Sequence, residues 1–289
     1  MMKAAGRFGE LTKPRITCFI LMSTAVGFLF GARLVSSWTW LQLFHTLFGT
    51  GLIASGTAVL NQWYESDGDS KMFRTRKRPI PSGRVSSRGA LRFGVILSAA
   101  GFIELCLGAN VLTGLLGLFT LASYLFVYTP LKRVSPVSTT IGAIPGAMPP
   151  LIGYAAACGF LNFEAGILFA ILFLWQFPHF YAIAWMYRED YARAGIRMLP
   201  VVEPDGDSTA RRILWFSLAL LPMSLAPAFF SMAGHVYLFG ASVLGLLVIY
   251  AGFRAASEHT IRRARQVLLA SVVYLPLLYG LLVLDGTHL

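Results

Sequence analysis

The chain has 289 residues, 56% of them apolar and only 13% charged, with a mean hydropathy of +0.65. A soluble domain of this length needs a far more charged surface, so composition excludes a water-soluble enzyme and predicts an all-α, polytopic membrane protein. The formal charge of +11 suggests nucleic acid, but the placement of the bases explains that charge as membrane topology, and no nucleic-acid partner is expected.

Apolar runs of roughly 18–25 residues recur along the chain, the length that crosses about 30 Å of hydrocarbon as a helix. They lie at 16–35, 40–63, 90–109, 111–129, 138–158, 164–186, 212–232, 235–255 and 266–284, which predicts nine spans around a central cavity. The weakest division is between the third and fourth runs, where only "GANVLTG" (Gly108–Gly114) intervenes. Of the 24 Lys and Arg residues, all but Arg33 precede the first span, from Lys3 on, or lie in or at the edges of the loops that follow the second, fourth, sixth and eighth. Such alternation puts the N-terminus in the cytoplasm and the C-terminus outside.

The opening "MMKAAGRFGELTKPRIT" is too short and too mixed for a transit peptide, and the first apolar run has no cleavage signature. A multi-pass protein of the bacterial inner membrane follows, in contact with membrane lipid. With no internal repeat and no low-complexity linker, a single domain over 1–289 is expected. Cys18, Cys106 and Cys158 show no CxxC spacing and fall in or near spans, where buried small hydrophobes are the default.

The second span ends in "NQWYESDGDSKMFRTRKRPIPSGR", which begins at Asn61. At about 100° per residue, Asn61, Glu65 and Asp69 share one helix face, while Asp67 points elsewhere. An amide and two carboxylates at this spacing are hard oxygen ligands, and Mg²⁺ takes few such ligands before completing its shell with water and substrate phosphates. The bases that follow, Lys71, Arg74, Arg76, Lys77 and Arg78, suit phosphate oxygens. This pattern describes a site for a magnesium-bound diphosphate. The plainer alternative is a polybasic loop that fixes topology or touches anionic lipid, which leaves the three aligned oxygen ligands unexplained.

The motif N-x-x-x-E-x-x-x-D-x-x-M-x-R-T-x-x-R-P, Asn61 to Pro79, resembles the first Asp-rich motif of the UbiA-type intramembrane aromatic prenyltransferases. It is most similar to their haem O synthase (protohaem IX farnesyltransferase) branch. Many members carry Asp where this chain has Glu65, which keeps the carboxylate on a longer arm. Further resemblances follow in order: "LTKPRIT" (Leu11–Thr17), "YTPLKR" (Tyr128–Arg133), "GAIPGAMPPLIGY" (Gly142–Tyr154), "WQFPHFYAIAW" (Trp175–Trp185) and "EDYARAGIRMLP" (Glu189–Pro200).

The resemblance implies a second acidic motif after the sixth span, where this chain reads "MYREDYARAG", with Glu189 and Asp190 but no DxxxD spacing. It gives Asp190 to the catalytic metal set with Asn61, Glu65 and Asp69. As the alternative, both acids pair with Arg188 or Arg193 in the loop. Lys132 and Arg133 join Lys71, Arg74 and Arg78 as diphosphate contacts, or only enforce orientation.

His179 stands within the sixth span after Pro178, which cannot donate a backbone hydrogen bond and is expected to kink the helix. If the helix resumes, His179 and Asp190 lie on nearly one face, about 16 Å apart along the axis. Imidazole is a common axial ligand of haem iron, and the resemblance assigns His179 to the haem. An interhelical hydrogen bond is the plainer role for a lone membrane histidine. His45 lies on another face of its helix, and His235, His259 and His288 fall in loops or the tail. Gly142 and Gly146 allow close helix contact, and Pro145, Pro149 and Pro150 suit backbone that borders a cavity. Glu104, inside a span, is functional by default but has no assigned role.

Transfer of a farnesyl group from farnesyl diphosphate to a vinyl group of protohaem IX (haem B) is the implied reaction. Haem O and diphosphate are its products, and Mg²⁺ its cofactor. Contact with haem A synthase or terminal oxidase assembly is the implied partnership. A quinone- or chlorophyll-pathway prenyltransferase shares the diphosphate half of the site. A transporter is the rival of another class, disfavoured by the odd span number and the crowding of polar residues at one membrane face.

Overall fold

The computed structural model describes residues 2–286; His288 and the side chain of Lys3 lie outside the described part. Nine helices among the described residues are long and apolar enough to cross a membrane. They are α1 (Pro14–Ala32), α2 (Trp40–Tyr64), α3 (Ser87–Gly108), α4 (Val111–Leu131), α5 (Ser138–Cys158), α6 (Phe163–Met186), α7 (Asp207–Phe229), α8 (His235–Glu258) and α9 (Ile261–Leu284).

The division between α3 and α4 is real. Asn110 caps α4, its Oδ1 accepting from the Thr113 N–H at 2.9 Å. On the side carrying the basic loops, several helices outrun their apolar stretches: α3 starts at Ser87, α7 at Asp207 and α9 at Ile261, and α8 ends at Glu258. Hydropathy marks the stretch that faces hydrocarbon, whereas backbone hydrogen bonding continues into charged turns. There the Ser86 and Thr260 hydroxyls cap α3 and α9 by accepting from Gly89 and Arg263 N–H.

Helices in lipid gain little from burying apolar surface against each other, so close packing and polar contacts hold them. A Cβ on Gly27 would overlap the Pro150 carbonyl, and one on Gly153 the Thr24 carbonyl, so α1 and α5 meet backbone to backbone. Gly146 is pressed against the Gln176 amide of α6, whose Nε2 donates to the Ala143 carbonyl at 2.9 Å. The proline-rich span is interrupted, as expected: α5 breaks at Ala147 and Met148 between two helical segments. In α4 the stretch Ser123–Tyr128 widens into a π-helix, a feature often found beside functional sites.

The end opposite the basic loops is closed by its own contacts. Arg33, the base set apart by topology, meets Glu164 at 3.1 Å and the Met232 carbonyl at 3.2 Å. Tyr154 donates to the same Glu164 carboxylate. Glu104 acquires a role here: it meets His45 Nδ1 at 2.6 Å and ties α3 to α2. Cys18 is exposed and Cys106 and Cys158 are half-buried, against the expectation of buried thiols. A small apolar side chain on the rim of the bundle faces lipid and needs no protein cover.

Candidate active site

Two helices end alike on the basic side. α2 stops at Tyr64, Glu65 takes φ −91° and ψ 5°, and a six-residue helix follows over Ser66–Lys71. α6 stops at Met186, Tyr187 takes φ −115° and ψ 22°, and a six-residue helix follows over Arg188–Arg193. One hydrogen-bonded row survives each break. Glu65 N–H donates to the Asn61 carbonyl at 2.9 Å and Asp69 N–H to the Glu65 carbonyl at 2.8 Å. Across the other break, Tyr187 N–H reaches the Ile183 carbonyl and Tyr191 N–H the Tyr187 carbonyl, both at 3.1 Å. The face predicted for Asn61, Glu65 and Asp69 therefore persists although the helix does not. The row that starts at His179 runs through Ile183 and Tyr187 to Tyr191, and Asp190 lies one residue before its end.

Bases hold the first row. Glu65 Oε1 accepts from Lys132 Nζ at 2.8 Å, and Asp69 Oδ2 from Arg78 Nη1 at 2.7 Å. Asn61 Nδ2 donates to Thr129 Oγ1 at 3.3 Å. Burial pushes the Glu65 carboxyl up, but the Lys132 charge and hydrogen bond, with Lys13 and Asn61, outweigh it and hold it below the usual range. Burial lowers Lys132 in turn, yet Tyr128, Glu65 and Tyr124 bring it well above an ordinary lysine.

Asp190, given to the metal by sequence, has both oxygens engaged. Oδ1 accepts from Phe73 N–H at 3.2 Å and from Arg193, and Oδ2 from Arg74 N–H at 3.2 Å. Burial raises its carboxyl, but the Arg74 and Phe73 N–H groups and Arg193 prevail and hold it below the usual range. The second acidic segment thus clamps the backbone of the first. Glu189, Lys71 and Arg133 are exposed.

Between these helix ends lies a cavity of about 400 Å³, lined by Lys13, Gln62, Arg74, Arg78, Tyr128, Thr139, Phe180, Ile183 and Tyr191, with Glu10 at its rim. Lys13, Arg74 and Arg78 line it; Asp69 is paired to Arg78, and neither Asp69, Glu65 nor Lys132 is among its lining residues. The Arg74 guanidinium lies 4.8 Å from the centre of the Tyr187 ring, a cation–π contact. A second, apolar cavity of about 150 Å³ lies between α1, α2, α4 and α5, lined by Ile20, Ile53, Ala54, Ala58 and Pro149 among others. Lys13 and Ile16 border both cavities. Sequence reasoning counted Lys13 only as a topological base. Its signal was local: a lysine before Pro14 is barred from simply continuing a right-handed helix.

His179 does not line the larger cavity, although its neighbours Phe180 and Ile183 do. Its Nδ1 lies 2.9 Å from Ser271 Oγ of α9, and that hydroxyl donates its only proton to the Leu268 carbonyl at 2.7 Å. The Ser271 hydroxyl thus lies between the imidazole and that carbonyl, and the imidazole meets it through Nδ1 rather than Nε2. Trp175 stacks on the imidazole at 4.9 Å and 25° while its Nε1–H donates to the Ser271 carbonyl at 2.7 Å.

Residues 20–279 match the UbiA prenyltransferase family. The chain belongs to that family. Relatives of this UbiA-family chain include the protoheme IX farnesyltransferase of Solibacter usitatus (strain Ellin6076), 62% identical over 96% of this chain and 97% of that one. That of Koribacter versatilis (strain Ellin345) is 47% identical over 97% and 93%. Among solved UbiA-type folds, a digeranylgeranylglyceryl phosphate synthase superposes with a TM-score of 0.81 at 18% identity, covering 99% of this chain and 100% of the other. A UbiA homologue from Archaeoglobus fulgidus bound to GPP and Mg²⁺ gives 0.66 at 16% identity, covering 96% and 99%. At these identities the likeness establishes the fold: an all-α, multi-pass UbiA bundle.

Whether magnesium suits this UbiA chain turns on its donors. Among the described residues no three His, Cys, Asp or Glu side chains form a metal-holding group, so a cage built wholly of such side chains is absent there. Magnesium asks for less, since one or two carboxylates with waters and substrate phosphates suffice. Asn61, Glu65 and Asp69 offer hard oxygens on one row, and each carboxylate meets its base through a single oxygen. That donor set fits an ion shared with a diphosphate.

Proposed function

We propose that this prenyltransferase moves the farnesyl group of farnesyl diphosphate to a vinyl group of protohaem IX, giving haem O and diphosphate. The observation that carries the reading is the acidic row at the end of α2, whose Asp69 pairs with Arg78 of a base-lined cavity that shares Lys13 and Ile16 with an apolar one. The protoheme IX farnesyltransferase relatives support the choice of substrates.

The C1–O bond of farnesyl diphosphate breaks with its electron pair going to the diphosphate oxygen. The vinyl π-electrons form the new bond to C1. Water then adds its hydroxide to the resulting cation, and its proton leaves with the diphosphate. Arg74 and Arg78 bind the diphosphate from the cavity wall, with Lys132 and Arg133 adding positive charge nearby and Lys71 a peripheral contact. Asp69 and Glu65 keep Arg78 and Lys132 in place through the ion pairs described. Asn61, Glu65 and Asp69 are the proposed holders of Mg²⁺, which when bound supplies Lewis-acid stabilisation of the leaving group. Asp190 joins this catalytic set by fixing the Phe73–Arg74 backbone. The apolar cavity takes the prenyl tail and keeps water from the allylic cation.

His179 is proposed to contact haem. The contact with Ser271 engages Nδ1 and leaves Nε2 as the nitrogen to bind iron, as partners of metal-binding histidines commonly do. Base-rich loops on one side support a cytoplasmic N-terminus in a bacterial inner membrane. The haem product makes haem A synthase and terminal oxidase assembly the natural recipients.

The test is purified protein with farnesyl diphosphate, haem B and Mg²⁺, with mass detection of farnesylated haem. Product with an aromatic acid or quinone precursor, and none with haem, would move the chain to a quinone- or chlorophyll-type acceptor.

A further inference from the structure

Lys13 is a base that the proposed reaction has not yet used. It precedes α1 with φ 50° and ψ 59°, a left-handed conformation at a non-glycine residue. Such a conformation is strained and persists only where the surroundings impose it. Two features impose it here. Pro14 disfavours the right-handed helical region for its predecessor, and the Lys13 carbonyl accepts from Ile16 and Thr17 N–H at 3.0 and 3.1 Å, so the chain must turn sharply into the helix.

The turn brings Lys13 to the junction of the two cavities, whose linings among the described residues share only Lys13 and Ile16. On one side stand Arg74 and Arg78; on the other, Ile20, Ala54 and Pro149. A substrate with an anionic head and an apolar tail has one place for the bond between them, and that is the junction. The bases nearby are already committed: Arg78 to Asp69 and Lys132 to Glu65. Among the described residues, no hydrogen bond or salt bridge engages the Lys13 ammonium, although Glu65 and Asp69 attract it and Arg78 and Lys132 repel it.

We propose that Lys13 is a catalytic cation, contacting the bridging oxygen between C1 of the prenyl chain and the diphosphate. As the C1–O bond breaks, the electron pair passes to that oxygen, and the ammonium meets the developing charge with a hydrogen bond. The assignment rests on the prenyl-transfer reading but not on the acceptor. A cation at the terminal phosphate strengthens ground-state binding; one at the bridging oxygen acts mainly in the transition state and appears in kcat.

The experiment uses the full chain in nanodiscs with Mg²⁺ and farnesyl diphosphate, with and without haem B. Without haem, slow release of farnesol and diphosphate reads C1–O cleavage alone, so it tests Lys13 even if haem proves the wrong acceptor. Lys13→Met is expected to lower kcat of both reactions about 100-fold, the scale of one lost oxyanion donor, and to change affinity for unreactive farnesyl thiolodiphosphate less than threefold. Lys13→Gly suits a positive φ and separates charge from strain: it should fold at least as well and lose activity equally. Lys13→Arg should restore at least a tenth of kcat. Cleavage within threefold of wild type in Lys13→Gly, or a loss confined to KM, overturns the proposal. Transfer lost while cleavage is retained also overturns it, since Lys13 would then serve the acceptor.

Discussion

The ends of α2 and α6 share a backbone plan and differ in what they hang on it. Each helix breaks at one residue, keeps one hydrogen-bonded row through the break and resumes for six residues. At the end of α2 that row reads Asn61, Glu65, Asp69; at the end of α6 it reads Ile183, Tyr187, Tyr191. The acid of the second end, Asp190, lies one residue before the row, and there it meets the backbone of the other loop instead of the cavity. A shared scaffold has thus been divided between two tasks. The first end gathers charge for a leaving group; the second supplies an aromatic wall and a clamp. If that division is right, equivalent substitutions at the two ends must have unequal consequences.

The largest effect belongs to Asp69→Asn. The amide keeps the shape but removes the charge that faces Arg78 in a buried site. Turnover should fall about 10²–10³-fold, as for loss of an electrostatic catalytic group, with Mg²⁺-dependent binding of the thiolo analogue weakened in parallel. Turnover within threefold of wild type would remove Asp69 from the metal set and erase the contrast between the two ends.

Asp190→Asn comes next, with a different signature. Its two oxygens hold the N–H groups of Phe73 and Arg74, and hydrogen bonds to a charged partner contribute about 1.5–3 kcal/mol each. The variant should raise KM for farnesyl diphosphate about tenfold while leaving kcat within fivefold, because the Arg74 loop loosens and the reacting bond is untouched. A loss in kcat matching that of Asp69→Asn would make Asp190 a direct ligand and the two ends equivalent.

Much of this plan could be read in the sequence, and its limits are physical. Nine apolar runs and alternating bases give nine helices, because length and charge are what a bilayer selects. The row Asn61–Glu65–Asp69 was legible because a four-residue spacing survives one break in a helix. The link from Asp190 to Phe73 and Arg74 was hidden, since it joins segments more than a hundred residues apart through backbone N–H groups that leave no mark in side-chain spacing. Lys13 was missed for a related reason: a cavity junction belongs to several helices at once.

The next prediction uses pH. Burial, then repulsion from Arg78 and Lys132, lowers Lys13 from the ordinary lysine value to about 7, with Glu65 and Asp69 pulling the other way. Below that value the unliganded chain carries the Lys13 charge, and above it the charge is lost. Wild-type kcat/KM for farnesyl diphosphate should therefore fall several-fold as pH rises through 7 to 9, whereas Lys13→Arg should stay flat, since arginine keeps its proton. Glu10, Arg74, Arg78, Tyr128 and Tyr191 also border the cavity, and all of them are common to the two proteins. Equal slopes in the two proteins would place the titration elsewhere, on the diphosphate itself.

The smallest effect is expected at Tyr191, the residue standing where Asp69 stands in the other row. Its ring lines the cavity and packs with the cluster of Met72, Ala184, Ile196 and Met198. Tyr191→Phe keeps that ring and removes only the hydroxyl. If the second end is a wall, turnover should change less than threefold, in keeping with the few tenths of a kcal/mol that many single contacts contribute. If equivalent row positions do equivalent chemistry, the phenolic oxygen would be a ligand and its loss would cost as much as Asp69→Asn. Measuring both variants under one saturating concentration of farnesyl diphosphate decides between those outcomes, because the two residues share a backbone position and differ only in the group it presents.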